Sequence, residues 1–313
     1  MIDFWKDKRV LLTGGGGFLG AAVRRVLTER GLPAEAVMVP RSQEHDLRQK
    51  DVAAKIARGR DIVIHLAATV GGIAFNKEHP AEVFYDNAAM ALHLIDASWR
   101  AGAKKFVGVG SVVAHPTDAP MPLREGNVWQ GYPDPVNAAY ALAKRFMLAQ
   151  SQFYRAQYGF NAIHLMPVKI YGPGMHFDPQ FGQVIPMLIG KVEDAKREGR
   201  KNIEVWGSGN ATREFLYVDD AAEAVVLAAE RYDGSEPVHI GSGVETPIRE
   251  LVAALCRLMG YDGGIEWDQT KPEGSLRSVA DVSKAAAAFG FTASTSLEEG
   301  LSKTLDWFYR YKK

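Results

Sequence analysis

Tyr140 and Lys144 stand four residues apart in the Ala-rich stretch Asn137-Ala-Ala-Tyr140-Ala-Leu-Ala-Lys144-Arg145-Phe146. Such a stretch reads as helix, and positions i and i+4 share one helical face, so phenol and ammonium can meet. A cation beside a phenol favours the phenolate, so the expectation is a tyrosine pKa below its ordinary value of roughly 10. A phenol tuned in that way can give a proton to an oxygen that is gaining negative charge. A second hydroxyl, Ser111, closes the apolar run Lys105-Phe-Val-Gly-Val-Gly110 and reads either as a group that orients a carbonyl oxygen or as a plain turn serine.

A glycine-rich turn lies about 120 residues before the pair. Arg9 to Thr13 is a strand-like run, Gly14-Gly15-Gly16-Gly17-Phe18-Leu19-Gly20 follows, and residues 21–30 read as helix. Gly14, Gly17 and Gly20 give the spacing GxxGxxG. Glycines there let the backbone approach a pyrophosphate at a helix N-terminus, so a dinucleotide is the expected cofactor. The second strand, residues 36–39, runs into Pro40-Arg41-Ser42 with no acid for a ribose 2′-hydroxyl and with Arg41 available for a 2′-phosphate. That favours NADPH over NADH, with NAD kept as the alternative. Asp46 suits either the adenine amino group or a turn. The cofactor-contacting set expected is Gly14, Gly17, Phe18, Leu19, Gly20, Arg41, Asp46, Leu47, Leu66, Ala67, Ala68, Tyr140, Lys144 and Pro167.

These groups need a scaffold, and the chain alternates strand-like and helix-like runs. Strands are expected at residues 61–67, 105–110 and 162–166, and helices at 87–101 and 140–158. This alternation predicts an α/β fold with a doubly wound parallel sheet of the Rossmann type. From residue 171 to 209 Gly and Pro become frequent, and helices return at 220–232, 247–259 and 297–309. We therefore expect residues 1–168 to form the dinucleotide unit, with 213–235 returning to it. Residues 169–212 and 236–313 would form a smaller, discontinuous substrate unit, with the cleft at the carboxyl ends of the strands.

At 313 residues and 47% apolar content the chain can bury a large core. Thirty-seven basic residues balance 37 acidic ones, which argues against nucleic acid or an anionic membrane as partner. Cys256 is the only cysteine, so no intrachain disulfide forms, and its apolar surroundings mark it as a small core residue. No His/Cys spacing suggests a metal. The start, Met1-Ile-Asp-Phe-Trp-Lys-Asp, does not resemble a signal peptide, and no apolar run approaches the ~18 residues of a membrane span. The expected compartment is the cytoplasm.

With these residues assembled, the chain resembles the extended short-chain dehydrogenase/reductase family over nearly its whole length: Thr13 to Gly20, Ser111, Tyr140, Lys144 and Tyr171-Gly172-Pro173. Within it the chain is most similar to the GDP-L-fucose synthase branch. The strings that carry this are Val70-Gly-Gly-Ile73, Val184-Ile-Pro186, Val205-Trp-Gly-Ser-Gly209, Arg213-Glu-Phe-Leu-Tyr-Val-Asp-Asp220 and Lys271-Pro-Glu-Gly274. The resemblance implies a nucleotide-sugar 4-ketone as substrate. Tyr140 would protonate the C4 oxygen, Lys144 would hold the nicotinamide ribose and Ser111 would orient that oxygen. Trp206, Arg213 and Lys271 match positions that contact the nucleotide diphosphate; unaided, Trp206 reads as core and Arg213 as a surface ion pair. A homodimer through helices 87–101 and 140–158 is also implied.

The branch epimerises C3 and C5 before reducing C4, using a Cys and a His. In this chain the Cys position falls on Val113 and the His position on Gln183, beside Val184. Neither replacement titrates near neutral pH. Lys169 stands where the family usually has Asn and should face the sugar or its phosphates; Gly16 replaces a frequent basic residue, which weakens the case for NADPH. Val113, Lys169, Gln183, Val184, Trp206, Arg213 and Lys271 are the substrate-side candidates. The expected activity is an NADPH-dependent C4 ketoreductase on a GDP-linked 4-keto-6-deoxy hexose or heptose of a surface polysaccharide. The alternatives are a 4-epimerase with tightly bound NAD, a full epimerase/reductase using other acid/base groups, and a binding module without turnover. A dehydratase is disfavoured, because Val112 and Val113 stand where an acid would be needed.

Overall fold

The computed structural model describes residues 4–178, 183–271 and 274–311, so the strings 172–186 and 271–274 are described in part. The central layer is a six-stranded parallel sheet in the order β2-β1-β3-β4-β5-β9. Its strands are β1 (Val10–Thr13), β2 (Val37–Met38), β3 (Ile62–His65), β4 (Lys105–Val109), β5 (Ala162–Pro167) and β9 (Val238–Ile240). β1, β3, β4, β5 and β9 are buried throughout, as strands covered on both faces must be, which is why they read as apolar runs rather than alternating ones.

Helices cover both faces. α1 (Phe18–Glu29) packs with α7 (Val218–Arg231) on one side. α2 (Lys50–Ala57), α4 (Pro80–Arg100) and α5 (Ala138–Tyr158) pack together on the other, and the short α3 (Ile73–Glu78) leads into α4. The strand order reverses between β1 and β3, and a crevice at such a reversal is where α/β sheets hold ligands.

Past β5 the chain builds two small sheets. β10 (Glu245–Pro247), β8 (Thr212–Tyr217) and β6 (Lys169–Tyr171) form one, and β11 (Gly264–Asp268) and β7 (Asn202–Trp206) form the other. α6 (Val184–Glu198), α8 (Ile248–Met259), α9 (Ser283–Phe289) and α10 (Leu297–Tyr311) complete this part.

Several boundaries differ from expectation. α1 begins at Phe18, three residues early, with Gly20 inside it. α4 begins at Pro80, where a proline at the first helical position has no N–H to lose. α6 lies in the stretch read as irregular, although Ile185, Leu188, Ile189 and Val192 are spaced for one buried helical face. β9, from the stretch assigned to the substrate unit, pairs with β5 and ends the central sheet.

Candidate active site

The glycine turn sits at the β1/β3 reversal. Gly14 has φ +72°, and a Cβ on it would lie 2.7 Å from the Ala67 amide nitrogen, so only glycine lets β1 pass this close to the end of β3. A Cβ on Gly20 would collide with the Gly14 carbonyl oxygen, and the Gly17 amide closes the turn on that oxygen at 3.0 Å. Gly17 caps α1 with no side-chain bond, and the first turn carries no acid. The opening amides at Phe18, Leu19 and Gly20 are thus free to meet an anion. Nothing lies within 4 Å of the space a Cβ on Gly16 would take, so the turn is open on the side a pyrophosphate must approach. Beneath it Thr13 Oγ1 and His65 Nδ1 lie 2.7 Å apart, tying β1 to β3, and Leu66, Ala67 and Ala68 line the strand end with part of their surface open. These residues fit a dinucleotide.

On its adenosine side the fit is mixed. Arg41 is exposed and has no side-chain partner among the described residues, as a 2′-phosphate ligand would be. Asp46 is engaged: Arg48 donates to both its oxygens at 2.9 and 3.0 Å and holds its carboxyl below the usual range. It has the geometry of a turn aspartate. Leu47 is buried in the core beside α4.

Tyr140 and Lys144 share a face of α5 as expected, but the lysine lies over the phenol ring, 5.4 Å from its centroid, and donates to the Val109 carbonyl at 3.0 Å. This corrects the expected pKa. Burial dominates, pushing the phenol up to about 12 and the ammonium down to about 8, and no depression of the phenol is seen. Two neutral histidines, His65 and His164, share the Lys144 environment, and burial followed by its charge lowers both to about 3. Val109 is the last residue of β4, so the bond from Lys144 anchors α5 two residues from Ser111. Ser111 Oγ accepts from the Val113 amide at 3.2 Å, which leaves its hydroxyl hydrogen for another acceptor.

Beyond Ser111 opens a cavity of about 120 Å³ lined by Ser111, Val112, Val113, Val168, Lys169, Glu214 and Ser278. Val113 and Lys169, two substrate-side candidates, therefore meet Ser111 there, and buried Pro167 immediately precedes the lining. Lys169 keeps area open to the cleft, while the surrounding protein and the nearby Arg213 charge pull its pKa below ordinary. Gln183 and Val184 stand at the start of α6 and are not part of this lining; Gln183 is exposed and caps nothing with its side chain.

Trp206 is half exposed at the end of β7, not core, with the Lys191 and Lys271 ammonium groups 5.7 and 5.9 Å from its ring centroid. Arg213 donates to the Thr212 and Ser275 carbonyls, each at 2.7 Å. An exposed indole flanked by two cations suits a base or sugar next to phosphates.

Sequence reasoning missed three groups here. Lys191 comes to Trp206 only through the packing of α6 on β7, and no spacing announces it. Glu214, given no role within the Arg213-to-Asp220 string, is 2% exposed; it accepts from the Gly243 and Ala280 amides, each at 2.7 Å, while burial raises its pKa. His115, four residues after Ser111, meets His239 of β9 with their Nε2 atoms 2.8 Å apart. Among the described residues no group of three or more His, Cys, Asp or Glu could hold a metal.

The sequence profile of the "NAD dependent epimerase/dehydratase family" matches residues 10–241. The chain is 37% identical over 306 residues to GDP-L-fucose synthase 1 of Arabidopsis thaliana, covering 97% of this chain and 94% of that one. It is 34% identical over 311 residues to GDP-L-fucose synthase of Escherichia coli (strain K12), covering 96% of each. Among solved structures, MlghC, a GDP-mannoheptose C4 reductase from Campylobacter jejuni with NADP bound, is similar at a TM-score of 0.87 and 25% identity, covering 96% of this chain and 98% of that one. A glycine turn at a sheet reversal, a Tyr/Lys pair on one helix and a serine at the neighbouring strand end thus occur in a chain that belongs to the NAD dependent epimerase/dehydratase family, the NAD(P)-dependent extended short-chain dehydrogenases/reductases.

Proposed function

We propose that this protein is an NADPH-dependent C4 ketoreductase acting on a GDP-linked 4-keto-6-deoxy hexose or heptose, without C3/C5 epimerase activity. The observation that carries the reading is the cavity wall beside Ser111: it retains the hydroxyl that orients a ketone but presents Val113 where epimerisation needs a proton-transfer group. Exposed Arg41 and the NADP bound to MlghC support the phosphorylated cofactor. The names of the fucose synthase relatives and of MlghC support a GDP-sugar, as does the Trp206, Lys191, Lys271 and Arg213 surface.

A dinucleotide held by the Gly14–Gly20 turn would supply the hydride that C4 accepts. Ser111 donates its free hydroxyl hydrogen to the C4 oxygen, and Tyr140 delivers a proton to that oxygen as charge develops there. Lys144, held on the Val109 carbonyl and lying over the phenol ring, would hold the nicotinamide ribose and keep a cation beside Tyr140. We assign the dinucleotide unit to residues 1–168 and 213–235, with β9 joining its sheet, and the substrate unit to the rest. Exposed Phe84, Tyr85 and Leu92 on α4 and Phe153 and Tyr158 on α5 support a homodimer through these helices.

The reading is tested with a panel of GDP-, UDP- and dTDP-linked 4-keto-6-deoxy sugars, following reductant consumption with NADPH and with NADH. The expected result is turnover of a GDP-linked sugar with NADPH. A protein that carries tightly bound NAD and interconverts C4 epimers with no added reductant would be a 4-epimerase instead.

A further inference from the structure

Lys169 is the charged group in the sugar cavity whose side chain has no partner among the described residues. Its ammonium makes no hydrogen bond or ion pair there, it keeps area open to the cleft, and the surrounding protein and Arg213 pull its pKa below ordinary. The other charged group in the lining, Glu214, accepts a backbone amide on each oxygen, braces the wall and makes no ion pair with the lysine. The remaining walls are Val112, Val113 and Val168 on the apolar side and Ser111 and Ser278 on the polar side. An ammonium is a donor of three hydrogen bonds with no acceptor capacity. Open to the cleft and without a protein acceptor, it is available to an oxygen of a ligand seated in the cavity.

The proposed C4 ketoreductase site, on which this argument rests, fixes which oxygen that is. A carbonyl oxygen has two lone pairs, and Ser111 and Tyr140 occupy both. The diphosphate has Arg213, Lys191 and Lys271 elsewhere in the cleft. The cavity is small enough that a ring placed against Ser111 also meets Lys169. We propose that Lys169 is a specificity-determining residue that binds the hydroxyl on the carbon next to the ketone, so that the enzyme selects 4-keto sugars oxygenated at C3 over their 3-deoxy counterparts. A site built to bond an oxygen rejects the analogue that lacks it far more strongly than an apolar pocket rejects a missing methylene.

The test compares kcat/KM for GDP-4-keto-6-deoxymannose and for the 3-deoxy counterpart of that sugar, in the parent protein and in Lys169→Met, which keeps the apolar stem. The parent should prefer the 3-hydroxy substrate on the order of 100-fold or more. Lys169→Met should bring the two within a few-fold of each other, chiefly by losing activity on the 3-hydroxy sugar while still turning over the 3-deoxy one. That retained turnover also shows that the variant is folded. Equal use of both sugars by the parent, or an undiminished preference in Lys169→Met, would overturn the assignment of Lys169 while leaving the ketoreductase reading intact. No turnover of either sugar by a parent protein that binds NADPH would overturn the ketoreductase reading, and the assignment with it.

Discussion

Tyr140 makes no hydrogen bond through its hydroxyl among the described residues, so the proton it carries is available to a substrate and costs the fold little to remove. Tyr140→Phe should therefore melt like the parent yet lose on the order of 10²–10⁴ in kcat. Lys144 gives a prediction of a different kind. Burial takes its pKa from 10.5 to about 8, so between those values the unfolded chain binds more protons than the folded one. Stability should rise with pH across that window, by about 3 kcal/mol in all, because the desolvated charge is present below it and gone above it. Denaturant titrations from pH 8 to 10, below where the raised Tyr140 begins to matter, should show a steeper slope in the parent than in Lys144→Met, which keeps the contributions of the also depressed Lys105 and Lys169. The pair itself was legible from the four-residue spacing. Its electrostatics were not, because the sequence does not say that Lys144 points at the Val109 carbonyl and lies over the ring.

The glycine turn is an element-scale device, and its glycines are not equivalent. Gly20 faces Gly14 and Gly15 at a contact a methyl group cannot enter, whereas Gly16 faces open space. Gly20→Ala should cost about 3 kcal/mol or more, since the colliding atoms are backbone and cannot turn aside. Gly16→Ala should unfold at the parent's temperature but bind dinucleotide more weakly, since its methyl would intrude where a pyrophosphate approaches. Thermal melts with and without NADPH separate the two. The spacing of Gly14, Gly17 and Gly20 was enough to place this turn, because the physical demand is local to the chain. α6 was less visible. Its buried face at Ile185, Leu188, Ile189 and Val192 has helical spacing, but flanking Gly and Pro obscured it. Lys191, Glu214 and the His115–His239 pair were invisible, because each gains its meaning from a strand or helix distant in sequence.

At the scale of the whole molecule, the central sheet followed from the βα alternation, while the two small sheets had no such pattern. β9 illustrates why: three buried residues carry no periodicity, and only their pairing with β5 makes them a strand. The proposed homodimer is also a property of this scale. Phe153 is 70% exposed on α5, and Phe153→Glu should shift the sedimentation of the protein from dimer to monomer without lowering its melting temperature by more than a few degrees. The reaction assignment gathers all three scales. Ser111, Tyr140 and Lys144 persist on an intact scaffold, whereas Val113 lines the cavity and Gln183 heads α6. The most direct test is to incubate the protein with GDP-4-keto-6-deoxymannose and NADPH in deuterated water and to map deuterium on the product. The account predicts reduction at C4 with no solvent deuterium at C3 or C5; deuterium at either carbon, introduced by this protein alone, would contradict it.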